Sequence, residues 1–185
     1  PSCDLSGVRT IGEFVTSLVS SLMRQLCDGP SDYADFMEHF LSGTGFAFDE
    51  ALYEDFGKLA VLCGDVSEAD VTEALTLPYR VASERTCNLC VVFDEFQNIM
   101  EINGFESILK EMERVAVDNA GSGASYIFCG SSVNAMKWMF EYKKYFFRNV
   151  AVLPMSPITE QEVIDHVVDG FRPTGKVIEK DLIQA

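Results

Sequence analysis

The chain contains 185 residues, of which 48% are hydrophobic and 23% are charged, a composition typical of a globular protein and not of a disordered or fibrous one. Its 14 Lys and Arg residues face 29 Asp and Glu residues, and the formal net charge of -15 would repel a nucleic-acid backbone. No stretch reaches the roughly 18 to 20 uncharged apolar residues of a membrane helix, and the start "PSCDLSGVRT" lacks a signal-peptide pattern, so we expect a cytoplasmic protein.

The first half of the chain is predicted to be mostly helical. Thr10 and Glu13 have the spacing of a capping box, in which each side chain bonds a free backbone amide at a helix start. Apolar residues then recur at helical spacing until Gly29 and Pro30 end the pattern. Further helical patterns cover residues 31–41, 49–63 and 67–85, and the Gly-rich "SGTGFAF" after the first of them is expected to be a turn.

The second half alternates between strand and helix patterns. The predicted strands are three short apolar runs, "LCVVFD" at 89–94, "ASYIFCG" at 124–130 and "NVAVLP" at 149–154. They lack strict alternation, as strands covered on both faces do. Helical patterns at 105–118 and 133–145 separate them, and Thr159 is placed to cap one more helix. This order predicts a three-layered α/β protein whose parallel strands are joined by right-handed crossovers.

Cysteine and histidine are poor candidates for a functional centre. The six cysteines are scattered through apolar runs, which favours reduced and buried thiols over disulfides. "CNLC" at 87–90 has the spacing of half a zinc site, but no second pair follows it. With only His39 and His166 in the chain, a histidine-based metal site or catalytic triad is also disfavoured.

Polar side chains follow two of the predicted strands. Asp94 and Glu95 end the first run, and Ser131 and Ser132 follow the second. Because ligands of open parallel sheets bind beyond the carboxyl ends of the strands, we expect these side chains along one rim. A strand that ends in Asp-Glu suits nucleotide hydrolysis, since the first carboxylate can hold Mg²⁺ through water and the second can orient or deprotonate the attacking water. Two solvated acids at a strand end are the alternative interpretation.

Several segments resemble one family in the expected order. "CVVFDEFQNI" resembles the Walker B segment of the archaeal-type AAA+ ATPases, a branch close to the STAND signalling ATPases. "DLSGVRTIGEF" is similar to the end of the second core strand with its helix, and "EALTLPYRVASE" to the helix before the Walker B strand. "YIFCGSS", "FFRNVAVLPMSPIT" and "FRPTGKVIEKDLI" resemble the next strand, the last core strand and the early lid. The resemblance thus spans nearly the whole chain.

The resemblance implies a three-layer α/β/α parallel sheet of the P-loop NTPase (AAA+) type, incomplete at both ends. Residues 1–157 would form a partial nucleotide-binding core and residues 158–185 the start of a helical lid. The implied function is a switch ATPase, in which hydrolysis of Mg-ATP drives a change of conformation or assembly. Its ligands would be ATP and Mg²⁺, and self-association or protein partners would be expected rather than a membrane or a nucleic acid.

The resemblance also implies roles for individual residues. Asp94 would belong to the Mg²⁺ shell and Glu95 would be the catalytic base. Ser131, with Ser132 as the second choice, matches the polar sensor position that contacts the γ-phosphate or the attacking water. Arg148 falls where relatives often carry an Arg near the phosphates, acting within a subunit or across an interface. A surface Arg that flanks a strand is the alternative for Arg148.

The sequence departs from the family at the phosphate loop. That Gly-rich loop, whose backbone amides cradle the phosphates, should precede the region that matches residues 1–4, and it is absent from the sequence. "GFRPTGKV" at 170–177 fits G-x-x-x-x-G-K, but Val177 replaces the Mg²⁺-binding hydroxyl, Pro173 stiffens the loop and a helical pattern precedes it. We therefore expect Lys176 to be a solvated lid residue.

The missing loop has a consequence for the sheet. In the AAA+ arrangement the strand before the loop lies inside the sheet, so its neighbours should either pair anew or leave exposed edges. We therefore expect the 185 residues to be a segment of a longer polypeptide. The alternative function is a non-hydrolysing regulatory or protein-interaction domain on the same scaffold, whereas the acidic charge opposes a helicase.

Overall fold

The computed structural model describes residues 1–176 and residue 178. The chain divides into two compact units, Pro1–Asn149 and Val150–Ala185. The assignment of residues 1–157 to a nucleotide-binding core and of 158–185 to a lid stays a prediction.

The first unit contains all the strands of the described residues and six of the helices. The strands are β1 (Ser2–Asp4), β2 (Phe46–Ala47), β3 (Val61–Leu62), β4 (Leu89–Asp94) and β5 (Ala124–Phe128). The helices are α1 (Ile11–Leu26), α2 (Pro30–Leu41), α3 (Glu50–Phe56), α4 (Glu68–Glu84), α5 (Phe105–Asp118) and α6 (Val133–Lys137). A 3₁₀ helix at Phe96–Glu101 follows β4, and a π-helical turn at Trp138–Tyr142 follows α6.

In its described residues, the second unit contains one α-helix, α7 (Glu160–Phe171), and a 3₁₀ turn at Arg172–Thr174. The Thr159 hydroxyl accepts from the Glu162 amide while the Glu162 carboxylate accepts from the Thr159 amide, so the predicted cap is confirmed as a full capping box. Gly170 lies inside α7, and a helix therefore enters the "GFRPTGKV" segment, as expected for a segment that is not a phosphate loop. Val177 lies outside the described residues.

Local helix-start signals account for the helices that frame the sheet. At α1, the Thr10 hydroxyl accepts from the Glu13 amide, and the Glu13 carboxylate accepts from the amides of Arg9 and Thr10, which confirms the predicted capping box. These bonds from Arg9 and Thr10 lower the pKa of Glu13. At α4, Ser67 and Asp70 form a second capping box. The helices thus begin where their free amides find side-chain acceptors.

The main sheet is parallel and has the strand order β1-β4-β5. Cys3 lies opposite Phe93, and Phe93 lies opposite Phe128, so the three strands end at the same rim. The two crossovers, from β1 to β4 and from β4 to β5, run in the same direction across the sheet. Right-handed crossovers that run in one direction place their helices on the same face of the sheet. On that face Phe14 of α1 stacks on Phe93, with 5.9 Å between ring centroids. The predicted α/β class with a parallel sheet is confirmed.

The opposite face of the sheet is more open than expected. In β4 the side chains of Leu89, Val91 and Phe93 are buried, whereas Cys90 is exposed. Ile127 of β5 is 48% exposed. The prediction of strands covered on both faces is therefore wrong for the described residues, because the helices of this unit follow crossovers of one direction and cover one face. Within those residues β5 pairs only with β4 and has a free edge.

A small antiparallel pairing was not predicted. The helix expected over 49–63 ends at Phe56, because Gly57 adopts the left-handed conformation, with φ of 67°, that terminates helices. The chain then forms β3, which pairs with β2. Strand β2 lies inside "SGTGFAF", the segment expected to be a turn. The Ala60 amide donates to Ser20 Oγ on α1, and this bond attaches the segment before β3 to the core.

Two predicted elements differ from the structure. Residues 149–154 form no strand, and Leu153 is 84% exposed. A strand needs a neighbour for its amides and carbonyls, so an apolar run alone does not make one. The helix expected over 133–145 changes to π-helical geometry at Trp138 and ends at Tyr142.

The cysteines are free thiols, but the prediction that they are buried holds for Cys3 alone. Burial raises the pKa of Cys3 to about 12. Four others, Cys63, Cys87, Cys90 and Cys129, are exposed. Cys90 is exposed because it lies on the open face of the sheet. Over residues 1–176 and 178, no helix is long and apolar enough to cross a bilayer.

We expect Asp70→Asn to lower the free energy of unfolding by about 1 to 2 kcal/mol. Asp70 is 6% exposed, and its carboxylate accepts from the amides of Gly45 and Ser67 and from the Ser67 hydroxyl. The Ser67 hydroxyl contributes most to lowering the pKa of Asp70, so the stabilisation is complete above the unfolded pKa of about 3.9 and is lost as the pH falls through the folded pKa. Urea unfolding of the variant and the wild type at a series of pH values measures this difference in the free energy of unfolding.

The matched control is Asp35→Asn, because Asp35 is exposed on α2. This variant should unfold within about 0.5 kcal/mol of the wild type. A gap between Asp70→Asn and wild type that stays constant from pH 7 to pH 3 would contradict the assigned role of the charge.

Candidate functional site

The candidate site is a sharp turn at the rim of the sheet, directly after β4. Glu95 adopts the left-handed region, with φ of 51° and ψ of 41°, which costs a non-glycine residue about 1 to 2 kcal/mol. The next residue, Phe96, is fully buried, and its amide donates to the Cys129 carbonyl at 2.8 Å. The turn persists because the chain is anchored on both sides of it.

This turn brings Glu95 onto the end of the neighbouring strand. The Ser131 hydroxyl donates to Glu95 Oε2 at 2.8 Å. Gln97 Nε2 donates to the same carboxylate oxygen. Glu95 is half-buried and Ser131 is exposed, so a ligand can reach both from the rim. The structure thus brings together two of the residues that the sequence placed on one rim.

Asp94 lies beside Glu95 at the end of β4. Its Oδ1 accepts from the Glu95 amide at 3.0 Å, and its carbonyl accepts from the Leu5 amide at 3.0 Å. The side chain is exposed, so it faces the solvent at the rim. Asp94 is held by backbone bonds while its carboxylate stays accessible.

Asp4 is a further rim carboxylate that the sequence analysis missed. It ends β1 and lies opposite Asp94 in the parallel register. The Ser6 hydroxyl and amide donate to its carboxylate, and these bonds lower the pKa of Asp4. Its signal was present in "DLSG", an acid that follows an apolar residue before a turn, but only strand pairing places it beside Asp94.

The donor chemistry of this rim fits a hard cation. Asp4, Asp94 and Glu95 offer oxygen ligands, and two of these carboxylates end adjacent strands. Within residues 1–176 and 178, no three Cys, His, Asp or Glu side chains are arranged as a metal-binding group. Mg²⁺ keeps several waters and is usually bound through one or two carboxylates plus substrate phosphates, so an open pair of acids suits it.

The other two residues singled out from the sequence lie apart from this network. Ser132 is the N-cap residue of α6, where its carbonyl accepts from the Met136 amide and its side chain makes no capping bond. Arg148 is exposed, and its guanidinium lies 5.3 Å from the ring centroid of Phe147. Among the described residues, no hydrogen bond or ion pair joins either of them to Glu95.

Gln97 is the residue of the site that sequence reasoning undervalued. Its side chain contacts both Glu95 and Ser131. The contact depends on the left-handed backbone at Glu95, which turns the chain back on itself. The sequence offers only the spacing Glu-x-Gln as a signal.

A cavity of about 630 Å³ lies elsewhere, between the loop at 42–45 and α4. Asp70 and the ion pair of Arg80 with Glu73 line it, and none of the rim residues does. The rim site is therefore defined by its converging side chains and not by an enclosed cavity.

We expect Glu95→Asn to be more stable than Glu95→Ala by about 1 kcal/mol, because Asn tolerates the left-handed region better than Ala. Both substitutions remove the carboxylate bonds, so the comparison isolates the backbone cost. Thermal or urea unfolding of the two variants measures it.

The control pair is Glu38→Asn and Glu38→Ala, since Glu38 is exposed inside α2. There the order should reverse, with Ala more stable by about 0.5 kcal/mol. The same order at both positions would rule out the left-handed strain at Glu95.

Comparison with known proteins gives one informative likeness of fold. No family model and no curated protein matches the chain. The structure is similar to the Walker-type ATPase paby2304 of Pyrococcus abyssi, with a TM-score of 0.60 and 15% sequence identity over 98% of this chain. The match covers 49% of that protein, so the chain spans about half its length. The chain has a P-loop ATPase-like α/β fold.

Proposed function

We propose that this chain contributes the core of an ATP-binding and ATP-hydrolysing switch ATPase of the archaeal-type AAA+ or STAND-like kind. The observation that carries the proposal is the hydrogen bond from Ser131 to Glu95. This bond lies at the rim of the sheet, where Asp94 ends β4. Two polar residues from adjacent parallel strands thus meet at the edge where nucleotides bind in such sheets. The likeness of fold to a Walker-type ATPase supports the proposal.

Glu95 is proposed as the catalytic base. One of its carboxylate oxygens accepts from Ser131 and Gln97, which leaves Oε1 to orient or deprotonate a water. A base must be held in one orientation to act on a water in line with a phosphate. The strained turn supports this assignment, since it fixes the backbone of Glu95 between the end of β4 and the buried Phe96.

Asp94 is proposed as the ligand of Mg²⁺. The bound cation would neutralise charge on the phosphates of ATP, which is the chemistry that phosphoryl transfer requires. The backbone bonds of Asp94 to Glu95 and Leu5 hold its carboxylate at the rim without occupying both oxygens. In this assignment Asp94 positions the Mg²⁺ ion, and Glu95 acts on the attacking water.

Ser131, Ser132 and Arg148 complete the proposed site. Ser131 would sense the γ-phosphate, because its hydroxyl already contacts the base and a phosphate oxygen would compete for the same donor. Ser132 is the second candidate for that role. Arg148 is proposed to stabilise charge during transfer, within a subunit or across an interface. The amides that cradle the phosphates are proposed to come from a phosphate loop outside these 185 residues.

The switch role is proposed for the full-length protein. ATP binding and hydrolysis would change its conformation or assembly, through the core and the lid that the sequence predicts. A regulatory domain that keeps the scaffold without hydrolysis is the competing function.

We expect Glu95→Gln in the full-length protein to lower kcat for ATP hydrolysis by about 10²- to 10⁴-fold, because an amide cannot accept the proton of water. The substitution keeps the side-chain shape, so the affinity for Mg-ATP should be retained. Phosphate release and equilibrium binding measure the two effects.

The matched control for the base is Glu106→Gln, an exposed residue in the first turn of α5. It should leave kcat unchanged. Turnover that is the same in Glu95→Gln as in wild type would remove Glu95 from its role, and wild-type protein that binds ATP without hydrolysing it would favour the regulatory domain.

We expect Asp94→Ala to weaken Mg-ATP binding by about tenfold or more, since the cation loses its protein ligand. Binding of ATP measured in EDTA should be the same in variant and wild type. Calorimetric titration with and without Mg²⁺ makes the comparison, with Asp65→Ala, an exposed loop acid, as the control. Equal affinities of the Asp94 variant and wild type in Mg²⁺ would contradict the assignment.

A further inference from the structure

We propose that Gln97 is a positioning residue that holds Glu95 and Ser131 in one arrangement for hydrolysis. The inference rests on the proposed function and extends it to a residue that does not touch the substrate. It comes from three observations on the described residues: a closed set of hydrogen bonds, a buried oxygen without a partner, and a glycine that leaves room for the Gln97 side chain.

The three side chains form a closed triangle. Gln97 Nε2 donates to Glu95 Oε2 and, at 3.3 Å, to Ser131 Oγ. The Ser131 hydroxyl donates to the same Glu95 oxygen at 2.8 Å. Each side chain therefore contacts both of the others, and rotation of the Glu95 carboxylate would break two bonds at once. Removing Gln97 leaves a single contact, about which the carboxylate can turn.

The orientation of the Gln97 amide follows from the charge of its neighbour. A flipped amide would point its oxygen at the carboxylate of Glu95, so the NH₂ group has to face Glu95. The consequence is that Gln97 Oε1 is buried and has no hydrogen-bond partner among the described residues. A buried acceptor without a partner is unfavourable, and its presence here is explained by the contact that the other end of the amide makes.

Gly130 leaves the space that this side chain occupies. A Cβ at position 130 would lie 2.6 Å from Gln97 Oε1 and 2.6 Å from Met136 Sδ. Gly130 does not have a positive φ, so its backbone conformation does not call for glycine. The absence of a side chain is therefore explained by packing against Gln97 and Met136. The glycine at position 130 thus leaves room for the Gln97 side chain as well as for Met136.

The length and neutrality of Gln97 are matched to this role. Asn is one methylene shorter and would not span from the 3₁₀ helix to both partners, whereas Glu would place a second negative charge against Glu95. Met has a similar volume but no hydrogen-bond donor. Gln97→Met therefore keeps most of the packing of the side chain and removes its hydrogen bonds.

The test is a double-mutant cycle in the full-length protein. Gln97→Ala and Gly130→Ala should each lower kcat for ATP by about 10- to 100-fold, with KM within about threefold, because both release the carboxylate of Glu95. If Gly130 acts through Gln97, the double variant should be no slower than the slower single variant. Gly170→Ala is the control, since a Cβ there meets no atom of the described residues within 4 Å.

A further variant separates positioning from folding. Gln97→Met removes the buried unpartnered oxygen, so its Tm should not fall below that of wild type while its kcat falls by a similar factor. A purely structural role would lower Tm and leave kcat per folded molecule unchanged, which overturns the proposal.

The outcomes distinguish this inference from the proposed function. Turnover that is lost in Glu95→Gln but kept in the Gln97 variants overturns the positioning role and leaves the ATPase proposal standing. Effects of Gln97→Ala and Gly130→Ala that multiply in the double variant overturn the claim that Gly130 acts through Gln97, because the added Cβ then acts through Met136. Wild-type protein without ATP hydrolysis overturns both proposals.

Discussion

The parallel pairing of β4 with β5 is the constraint on which the candidate site depends. The ladder continues beyond the strands, since the Cys129 amide donates to the Phe93 carbonyl and the Phe96 amide donates to the Cys129 carbonyl. Phe96 is fully buried and lies 4.4 Å from Phe128, measured between ring centroids. The chain is therefore fixed both before and after Glu95, and the change of direction falls on that one residue. Hydrophobic burial of this size, about 1.5 to 3 kcal/mol for a large side chain, outweighs the cost of one left-handed residue.

The parts of the fold that the sequence predicts are those set by local signals. The capping boxes at Thr10 and Thr159 need only residues three apart, and the apolar runs of β4 and β5 are short and bounded by polar residues. Pairing between distant segments has no such signal. The two-residue strands β2 and β3 were missed because their stability comes from contacts with the core, and residues 149–154 show the converse, an apolar run that forms no strand.

The candidate site likewise has a part that the sequence predicts and a part that only the structure shows. The rule that parallel strands end at one rim is enough to place Asp94, Glu95 and Ser131 at a common edge. It does not say which of them touch, because contact depends on the backbone angle at Glu95 and on the open space at Gly130. Gln97 was undervalued for this reason, and so was Asp4, whose position beside Asp94 follows only from the register of β1.

Two unfavourable local features, a left-handed residue and a buried acceptor without a partner, coincide at this turn. Left-handed non-glycine residues also occur at Thr86 and within residues 144–148, but Glu95 alone among them also contacts a side chain with a buried unpartnered atom. Elsewhere in the described residues, buried polar side chains such as Ser21 and Asp70 have partners. A sequence chosen for stability alone would place glycine or asparagine at position 95 and an apolar side chain at 97. The residues present instead hold a carboxylate at the rim, a cost that the proposed role of Glu95 would explain.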